Sequence, residues 1–359
     1  MTRNIVVLKS PDYGAFAAQH RGNLPYRIDH LRDEGFVLRY SDVLFRWPWN
    51  LPSVRRILGR LRGAGAPVLQ TISLGSRIVR SPVTLAMFES EGHFLAALRG
   101  LIPPLRRRRL VIVACWLAEI APRLPPAKRR IYRWLYRHVD AVIVFSENQR
   151  AILGSALGIP ADRITVAAFG IDRDELAPLE TAEDGTVLAV GRDAGRDWPT
   201  LFAAVDGTGW CLTVACRASQ LAGLAPPREV TVVGYVERAR YLELLAAASV
   251  VVIATKDFAY PTGQSVLLEA MAMGKACVVT GTEAMADYAI NGQNCVTVPV
   301  GDERALREAI RLLLEDESRR AALGEAASAL VSSRCNAAKM WESVGQVVSE
   351  TVPGGDGTR

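Results

Sequence analysis

The chain has 359 residues, half of them apolar, and a formal net charge of +6 at pH 7. This length leaves room for two domains that each bury a core of their own. The apolar content argues against a disordered chain, and the densest apolar run, Leu242 to Ala254, is interrupted by Glu243 and Ser249 and is too short to span a membrane. We expect no signal peptide in MTRNIVVLKSPDYG, because its apolar run is short.

Charge is distributed unevenly along the chain. Residues 1–170 hold 26 Lys and Arg against 11 Asp and Glu, whereas the remainder holds 17 against 26. A cationic half of this kind predicts an anionic partner. The six cysteines form no Cys-x-x-Cys pair, and several lie in apolar segments. We interpret them as buried thiols in a reducing cytoplasm.

Short apolar segments alternate with amphipathic ones in both halves, which predicts α/β domains with parallel, doubly wound sheets. The strands predicted in the first half are 5–8, 36–38, 68–72, 110–115, 141–145 and 164–168, with helices from about Tyr26 and over 53–62. Those predicted in the second half are 186–190, 211–214, 230–233, 250–254 and 276–280, with helices from 302 to about 330 and from 336 to 350. The polar segment 172–184 predicts a linker between the halves.

The strongest functional signal lies between residues 250 and 302. An apolar strand at 250–254 leads into a turn that contains Gly263, and a helix then begins near Ser265 and carries Glu269. This order of elements directs the free N–H groups of the helix N-terminus into one crevice, which suits a diphosphate. A carboxylate one turn into the helix can accept hydrogen bonds from ribose hydroxyls. The segment therefore predicts a nucleotide-binding site.

This segment resembles the donor-binding signature of the retaining, family-4-type glycosyltransferases of the GT-B fold (glycosyl transferases group 1). In that family an E-x7-E motif fills the helix, followed by AMA-x-G-x-x-V-V and a later G-x-N-G run. Glu269 matches the second glutamate, but Pro261 stands in place of the first. The further matches are Ala270, Met271, Ala272, Gly274, Gly292, Asn294, Pro299 and Asp302. The missing glutamate usually contacts the donor sugar. The resemblance therefore implies nucleotide binding more strongly than it implies how the sugar is recognised.

Other segments match the same family in the expected order between residues 140 and 330. VFSE at 144–147, with Gly-Ile-Asp at 170–172, resembles the end of the family's first domain. VGRDAGRD at 190–197 resembles its G-R-x-x-x-x-K segment, and VVGYV at 232–236 resembles a later glycine turn. The resemblance implies two Rossmann-like domains facing across a cleft. They would be a basic acceptor domain over 1–172 and a nucleotide-sugar donor domain over 185–335, with a helix at 336–350 packing back on the first.

The resemblance also assigns roles to individual residues. Arg192 and Arg196 would stabilise negative charge on the departing diphosphate, since guanidinium groups suit phosphate geometry. The donor-binding turn would consist of Gly263, Gln264, Ser265 and Val266, followed by Glu269. Plainer interpretations remain open: the arginines as surface residues, the turn as a helix cap and Glu269 as an exposed helix residue.

A catalytic base is harder to assign. Members of the family often present a histidine in the first domain, and His93 in the helical pattern 89–98 is the best candidate here. The leaving phosphate can instead take the acceptor proton, so a base is not required. We expect no metal and no cofactor beyond the nucleotide-diphosphate sugar as co-substrate. Asp172–Arg173–Asp174 mimics a metal-binding D-x-D motif but occupies the family's Gly-Ile-Asp position.

The cationic half suggests where the enzyme would work. Four arginines at 106–109, a basic aromatic helix at 128–137 and an aromatic loop at 45–49 suit docking on anionic lipid headgroups. We therefore expect a cytoplasmic protein, peripheral on the inner face of the membrane, with a lipid-linked or phosphorylated glycan as acceptor. The arginines could equally be a solvated face. We expect no nucleic-acid partner, because no nucleic-acid motif accompanies the charge.

The sequence thus predicts a retaining, metal-independent glycosyltransferase that acts on a nucleotide sugar. Two alternatives remain. A GT-B-fold sugar-nucleotide epimerase would need several acid–base residues, and few candidates are present. A catalytically silent glycosyltransferase-like partner would explain the loss of the first glutamate.

Overall fold

A computed structural model describes residues 3–9, 24–40, 65–176, 182–191 and 193–352. The chain divides into unit 1, residues 1–167 with 340–359, and unit 2, residues 168–339. Each unit is built around a six-stranded sheet whose neighbouring strands all pair in parallel. Within the described residues, no helix is long and apolar enough to cross a bilayer.

Unit 1 contains strands β1 to β6 in the spatial order β2-β1-β3-β4-β5-β6. The strands are β1 Arg3–Leu8, β2 Phe36–Arg39, β3 Val83–Ala86, β4 Arg109–Val113, β5 Ala141–Val144 and β6 Ile164–Val166. The α-helices between them are α1 Gly65–Ser73, α2 Gly75–Arg80, α3 Glu89–Leu101, α4 Leu117–Ile120, α5 Pro126–Tyr136 and α6 Asn148–Leu157. The helix predicted from about Tyr26 is a 3-10 helix, Pro25–Arg32.

One strand predicted for unit 1 is wrong, and one strand of its sheet is not predicted. Residues 68–72, predicted as a strand, lie inside helix α1, and the strand that precedes β4 in the sheet is instead Val83–Ala86. A short apolar run such as VLQTI fits a buried helix as well as a strand, and its periodicity cannot separate the two. The predicted helix at 53–62 and the aromatic loop at 45–49 lie outside the described residues.

Unit 2 contains strands β7 to β12 in the order β12-β11-β10-β7-β8-β9. The strands are β7 Val187–Gly191, β8 Leu212–Cys216, β9 Val230–Val232, β10 Val250–Ile253, β11 Ala276–Thr280 and β12 Val296–Val298. The α-helices are α7 Trp198–Val205, α8 Arg238–Ala247, α9 Gln264–Ala272, α10 Glu303–Glu315 and α11 Glu317–Ser333. The sequence does not predict β12, which has only three residues. The strand order reverses between β7 and β10, where doubly wound sheets bind ligands beyond the carboxyl ends of their strands.

Alternating residues of the unit 2 strands pack on opposite faces of the sheet. In β10, Val251 and Ile253 face the core under α8, α9 and α11, whereas Val250 and Val252 face the core under α7 and α10. Because helices cover both faces, the strands are apolar throughout rather than alternating with polar residues. This packing fixes the carboxyl ends of β7 and β10 and the start of α9.

The last helix, α12 (Ala337–Thr351), enters unit 1 from residue 340 onwards. Trp341 is 1% exposed, and its indole Nε1 donates a hydrogen bond to the Tyr26 carbonyl oxygen at 2.6 Å. Just before α12, the returning chain pairs with the segment that leaves unit 1. Ile171 N donates to Cys335 O at 3.1 Å, and Ala337 N donates to Ile171 O at 2.9 Å. The two passages of the chain between the units therefore lie side by side.

Candidate functional site

Two loops meet at the point where the strand order of unit 2 reverses. Residues 193–197 follow β7, and residues 254–263 follow β10. Arg196 and Thr255 form an antiparallel bridge, Asp197 N donates to Ala254 O at 3.0 Å, and Lys256 N donates to Gly195 O at 2.9 Å. These backbone bonds hold the loops together at the carboxyl edge of the sheet.

Arg196 is the charged residue at the centre of this junction. It is 5% exposed, and its Nε donates to Val190 O at 2.9 Å. Its Nη1 lies 3.4 Å from Thr262 Oγ1 and 3.5 Å from Asp193 Oδ2. Within the described residues, no acceptor is hydrogen-bonded to Nη2. The guanidinium is therefore held at Nε and Nη1, and its Nη2 remains available to donate to an anion.

Helix α9 begins beside this guanidinium. Gly263 is the N-cap, with φ of 88°, and a Cβ at this position would lie 2.6 Å from Ile253 Cγ2 and 3.0 Å from Arg196 Nη1. Only glycine combines the left-handed backbone with this close approach. The N–H groups of Gly263, Ser265 and Val266 have no hydrogen-bond acceptor among the described residues. Gln264 is 6% exposed, and its buried Oε1 has no partner in that part of the chain.

Asp193 ties the two loops together in a way that the sequence did not predict. Its Oδ1 accepts hydrogen bonds from Gly195 N at 2.8 Å and from Thr262 Oγ1 at 3.0 Å, and its carbonyl accepts one from Gln220 Nε2 at 2.6 Å. The bond to Gly195 is a local Asx turn, which an Asp two residues before Gly indicates. The bond to Thr262 joins residues 69 positions apart and has no signal in the sequence.

Glu269 lies further along α9 and is held by two residues of α8. Tyr241 Oη donates to Glu269 Oε2 at 2.6 Å, and Arg238 Nη1 pairs with Oε1 at 2.7 Å. The Glu269 side chain is 17% exposed, so it is neither fully buried nor an ordinary surface group. An ionised carboxylate accepts about four hydrogen bonds, so each oxygen keeps capacity for a further donor such as a ribose hydroxyl.

His93 lies on the packing surface between α3 and α5. Its Nε2 is 3.2 Å from Tyr136 Oη, and its ring meets those of Tyr132 and Tyr136 edge-on, with centroids 5.0 and 5.8 Å away. Burial lowers the pKa of His93 to about 4. These contacts describe a partly buried side chain packed between two helices, and a catalytic role for His93 stays a prediction that the mechanism proposed below does not use.

Two further predictions concern Arg192 and the D-x-D-like motif at 172–174. Arg192 lies outside the described residues. Asp172 accepts a hydrogen bond from Asp174 N at 3.1 Å, which closes a local turn. Among the described residues, no group of three His, Cys, Asp or Glu side chains is arranged to hold a metal ion.

Family comparisons match both halves of the chain. The model described as "Glycosyl transferases group 1" matches residues 196–316, and the model described as "Glycosyltransferase Family 4" matches residues 16–175. The first match includes the junction at Arg196 and the whole of α9. No curated protein matches the chain in sequence.

Solved structures similar to this chain share its fold along almost its whole length. HepE from Anabaena, crystallised with UDP and glucose, is 16% identical over 97% of this chain and 100% of its own, with a TM-score of 0.67. Sucrose-phosphate synthase from Thermosynechococcus elongatus is 16% identical over 97% and 99%, with a TM-score of 0.73. A glycosyltransferase from Rickettsia africae is 11% identical over 98% of both chains, with a TM-score of 0.63. At these identities the similarity shows the fold.

Proposed function

We propose that this chain, a group 1, family-4-type glycosyltransferase of the GT-B fold, moves a sugar from a nucleoside-diphosphate donor to an acceptor with retention of anomeric configuration. The family matches and the similar structures confirm the predicted family, the fold and the enzyme class. We propose in addition the retention of configuration, the type of acceptor and the roles of individual residues.

The observation that carries the proposal is the position of the Arg196 guanidinium against Gly263 at the start of α9. A departing nucleoside diphosphate gains negative charge in the transition state. Fixed donors aimed at that charge stabilise it without reorganising during the reaction. Arg196 Nη2 and the N–H groups of Gly263, Ser265 and Val266 supply such donors at one place.

The proposed transfer needs no protein nucleophile. The acceptor hydroxyl oxygen bonds to the anomeric carbon while the bond from that carbon to the diphosphate oxygen breaks. The departing diphosphate keeps the electron pair and takes the hydroxyl proton. The protein orients the two reactants and stabilises the diphosphate. Transfer should proceed without a divalent metal, so activity that survives EDTA is the expected result.

Glu269 is proposed to accept hydrogen bonds from the ribose of the donor. Its contacts to Tyr241 and Arg238 hold the carboxylate in one orientation while leaving acceptor capacity on both oxygens. The similar structure of HepE contains UDP, which supports a nucleoside diphosphate as the leaving group. Because Pro261 replaces the family's first glutamate, other residues must determine the specificity for the donor sugar.

The proposed acceptor is a lipid-linked or phosphorylated glycan, reached at an anionic membrane surface. The support is helix α5 of unit 1, where Lys128 and Arg130 are exposed and Ile131 is 55% exposed beside them. Mixed basic and apolar side chains on one exposed helix are typical of binding at a lipid interface. Flotation with liposomes that contain or lack anionic lipid tests this part, and equal recovery with both would contradict it.

Replacing Arg196 tests the donor site. Arg196→Lys keeps the charge but loses the fork of donors, so we expect kcat to fall by about 10²–10³-fold, the range found when one such donor is removed. Arg217→Lys, an exposed position in the same unit, is the matched control. Equal kcat in both variants, with unchanged melting temperatures, would rule out the role of Arg196.

A panel of nucleotide sugars separates the proposal from its alternatives. Donor hydrolysis or transfer supports a glycosyltransferase reaction. An isomerised donor without transfer would favour the epimerase, and binding without turnover would favour a silent partner. The anomeric configuration of the product, read by NMR, then decides between retention and inversion.

A further inference from the structure

A cavity lies within unit 1. It has a volume of about 500 Å³ and is lined by Arg133, Tyr136, Arg137, Leu157, Gly158, Ile159, Pro160 and Arg163. These residues come from the end of α5, the end of α6 and the 3-10 turn Ala161–Arg163. Both helices end just before the strands that follow them, so the cavity lies at the amino ends of β5 and β6. Substrates of doubly wound sheets bind at the opposite, carboxyl edge.

Every charged side chain that lines this cavity is positive. Three arginines line it, and no acidic residue does. Arg137 and Arg163 have no ion pair or side-chain hydrogen bond within the described residues. Asp162, the neighbour of Arg163, does not line the cavity. Convergent cations repel one another, and an anion between them removes that cost.

Of the three arginines, Arg133 is anchored by a hydrogen bond, whereas Arg137 and Arg163 are exposed to solvent. Its Nε donates to Ala156 O at 3.1 Å, which fixes the guanidinium at the C-terminus of α6. Its Nη1 and Nη2 have no acceptor among the described residues. On α5, Arg130, Arg133 and Arg137 are spaced at three and four residues and share one face of the helix. Two guanidinium groups therefore reach the cavity from one rigid element, and Arg163 reaches it from another.

We propose that this cavity binds a phosphate ester. Guanidinium forks match phosphate oxygens bidentately, and the remaining wall, formed by Leu157, Ile159 and Pro160, would contact a small organic group on the phosphate. The volume exceeds that of a bare phosphate and falls in the range of small-molecule sites. Such an ester could be soluble or could be the headgroup of an anionic lipid.

The test compares a charge-removing variant of the cavity with a matched control. Arg137→Gln with Arg163→Gln removes two lining charges from exposed side chains that make no described hydrogen bonds, so folding should be unaffected. Arg304→Gln with Arg319→Gln removes the same charge from exposed positions in unit 2. One arm titrates each protein with glycerol 3-phosphate by calorimetry. The other measures co-sedimentation with vesicles of phosphatidylcholine alone or with added phosphatidylglycerol.

We expect the cavity variant, and not the control, to lose about tenfold or more in affinity in at least one arm. Loss with glycerol 3-phosphate identifies a soluble ester as the ligand, and loss only with phosphatidylglycerol vesicles identifies a lipid headgroup. Binding should persist in Arg196→Lys, which separates this site from the donor site. If the wild-type protein binds neither probe, or if the cavity variant and the control behave alike in both arms, the proposal is wrong.

Discussion

Burying a guanidinium costs free energy unless its donors are paired, and Arg196 is paired only in part. The carbonyl of Val190 and the hydroxyl of Thr262 accept hydrogen bonds from it, and Asp193 lies slightly further away. Its Nη1 lies beside Gly263, at the start of the open N–H groups of α9, and its Nη2 has no acceptor among the described residues. A bound diphosphate would satisfy both at once, which is why this residue carries the functional proposal.

Glu269→Ala tests the ribose contact at the scale of one side chain. We expect nucleoside-diphosphate affinity to fall by about 1–3 kcal/mol, the cost of losing hydrogen bonds to a charged group. Calorimetric titration with UDP and ADP measures this. Glu325→Ala, an exposed glutamate on α11, is the control. The melting temperature should be recorded as well, because Glu269 also pairs with Arg238.

The sequence identified Glu269 as a candidate but could not identify the residues that orient it. A carboxylate inside a helix that follows a glycine turn is a local pattern, and local patterns are readable. Tyr241 and Arg238 reach Glu269 from a different helix, and their own positions in α8 look like those of any amphipathic segment. The same limit applies to Asp193 and Thr262, whose contact depends on how two loops pair.

At the scale of elements, five of the six strands of unit 2 are predicted from apolar runs that contain Val or Ile, and the three-residue β12 is not. The run VLQTI in α1 has three apolar residues of five but forms a helix, because tertiary packing can override the preference of so short a segment. Strand β3, VTLA, is fully buried, yet its four residues are too few to show a period. The missed strands β3 and β12 are thus explained by their shortness, and the wrong strand at 68–72 by a five-residue run without a clear period.

The start of α9 depends on Gly263, so Gly263→Ala should damage both stability and donor binding. The new Cβ would press on Ile253 and on the Arg196 guanidinium, in a left-handed conformation that alanine disfavours. Gly207→Ala is the matched control, with φ of 72° and open space around its Cβ position. We expect the control to lose only about 1–2 kcal/mol in urea unfolding and to bind donor normally. Similar losses in both variants would show that the close approach is unimportant.

The packing of α3 on α5 should make stability depend on pH through His93. The pKa of His93 is lowered by burial from 6.5 to about 4, so the unfolded chain takes up a proton at a higher pH than the folded chain. Stability is therefore lost as the pH falls from about 6.5 towards 4, by up to about 3 kcal/mol.

Urea unfolding at several pH values checks this prediction. His93→Gln removes the titrating group while keeping a polar side chain near Tyr136, so the variant should show a shallower loss of stability over the same pH window. A wild-type protein and a variant with identical pH profiles would contradict it. Other groups titrate in this range as well, and they contribute equally to both proteins.

At the scale of the whole molecule, unit 1 is discontinuous in sequence. Removing residues 340–359 by a stop after Lys339 takes away Trp341, Val344 and Val348, all buried in unit 1. Loss of a buried tryptophan alone lowers the free energy of unfolding by about 3–5 kcal/mol, so unit 1 should unfold much more readily. Limited proteolysis should then cut residues 1–167 faster and leave 168–339 unchanged. A stop after Val352 is the control, and equal cleavage of both truncated chains would contradict the prediction.

The late position of α12 also sets an order of events during synthesis. A ribosome delivers residues 168–339 in one uninterrupted stretch, so the nascent unit 2 has its full sequence while unit 1 still lacks a helix. Until Trp341 emerges, the apolar surface around Leu31 and Phe36 that α12 packs against stays open to solvent or to a chaperone. The half of the protein made first is thus the half completed last.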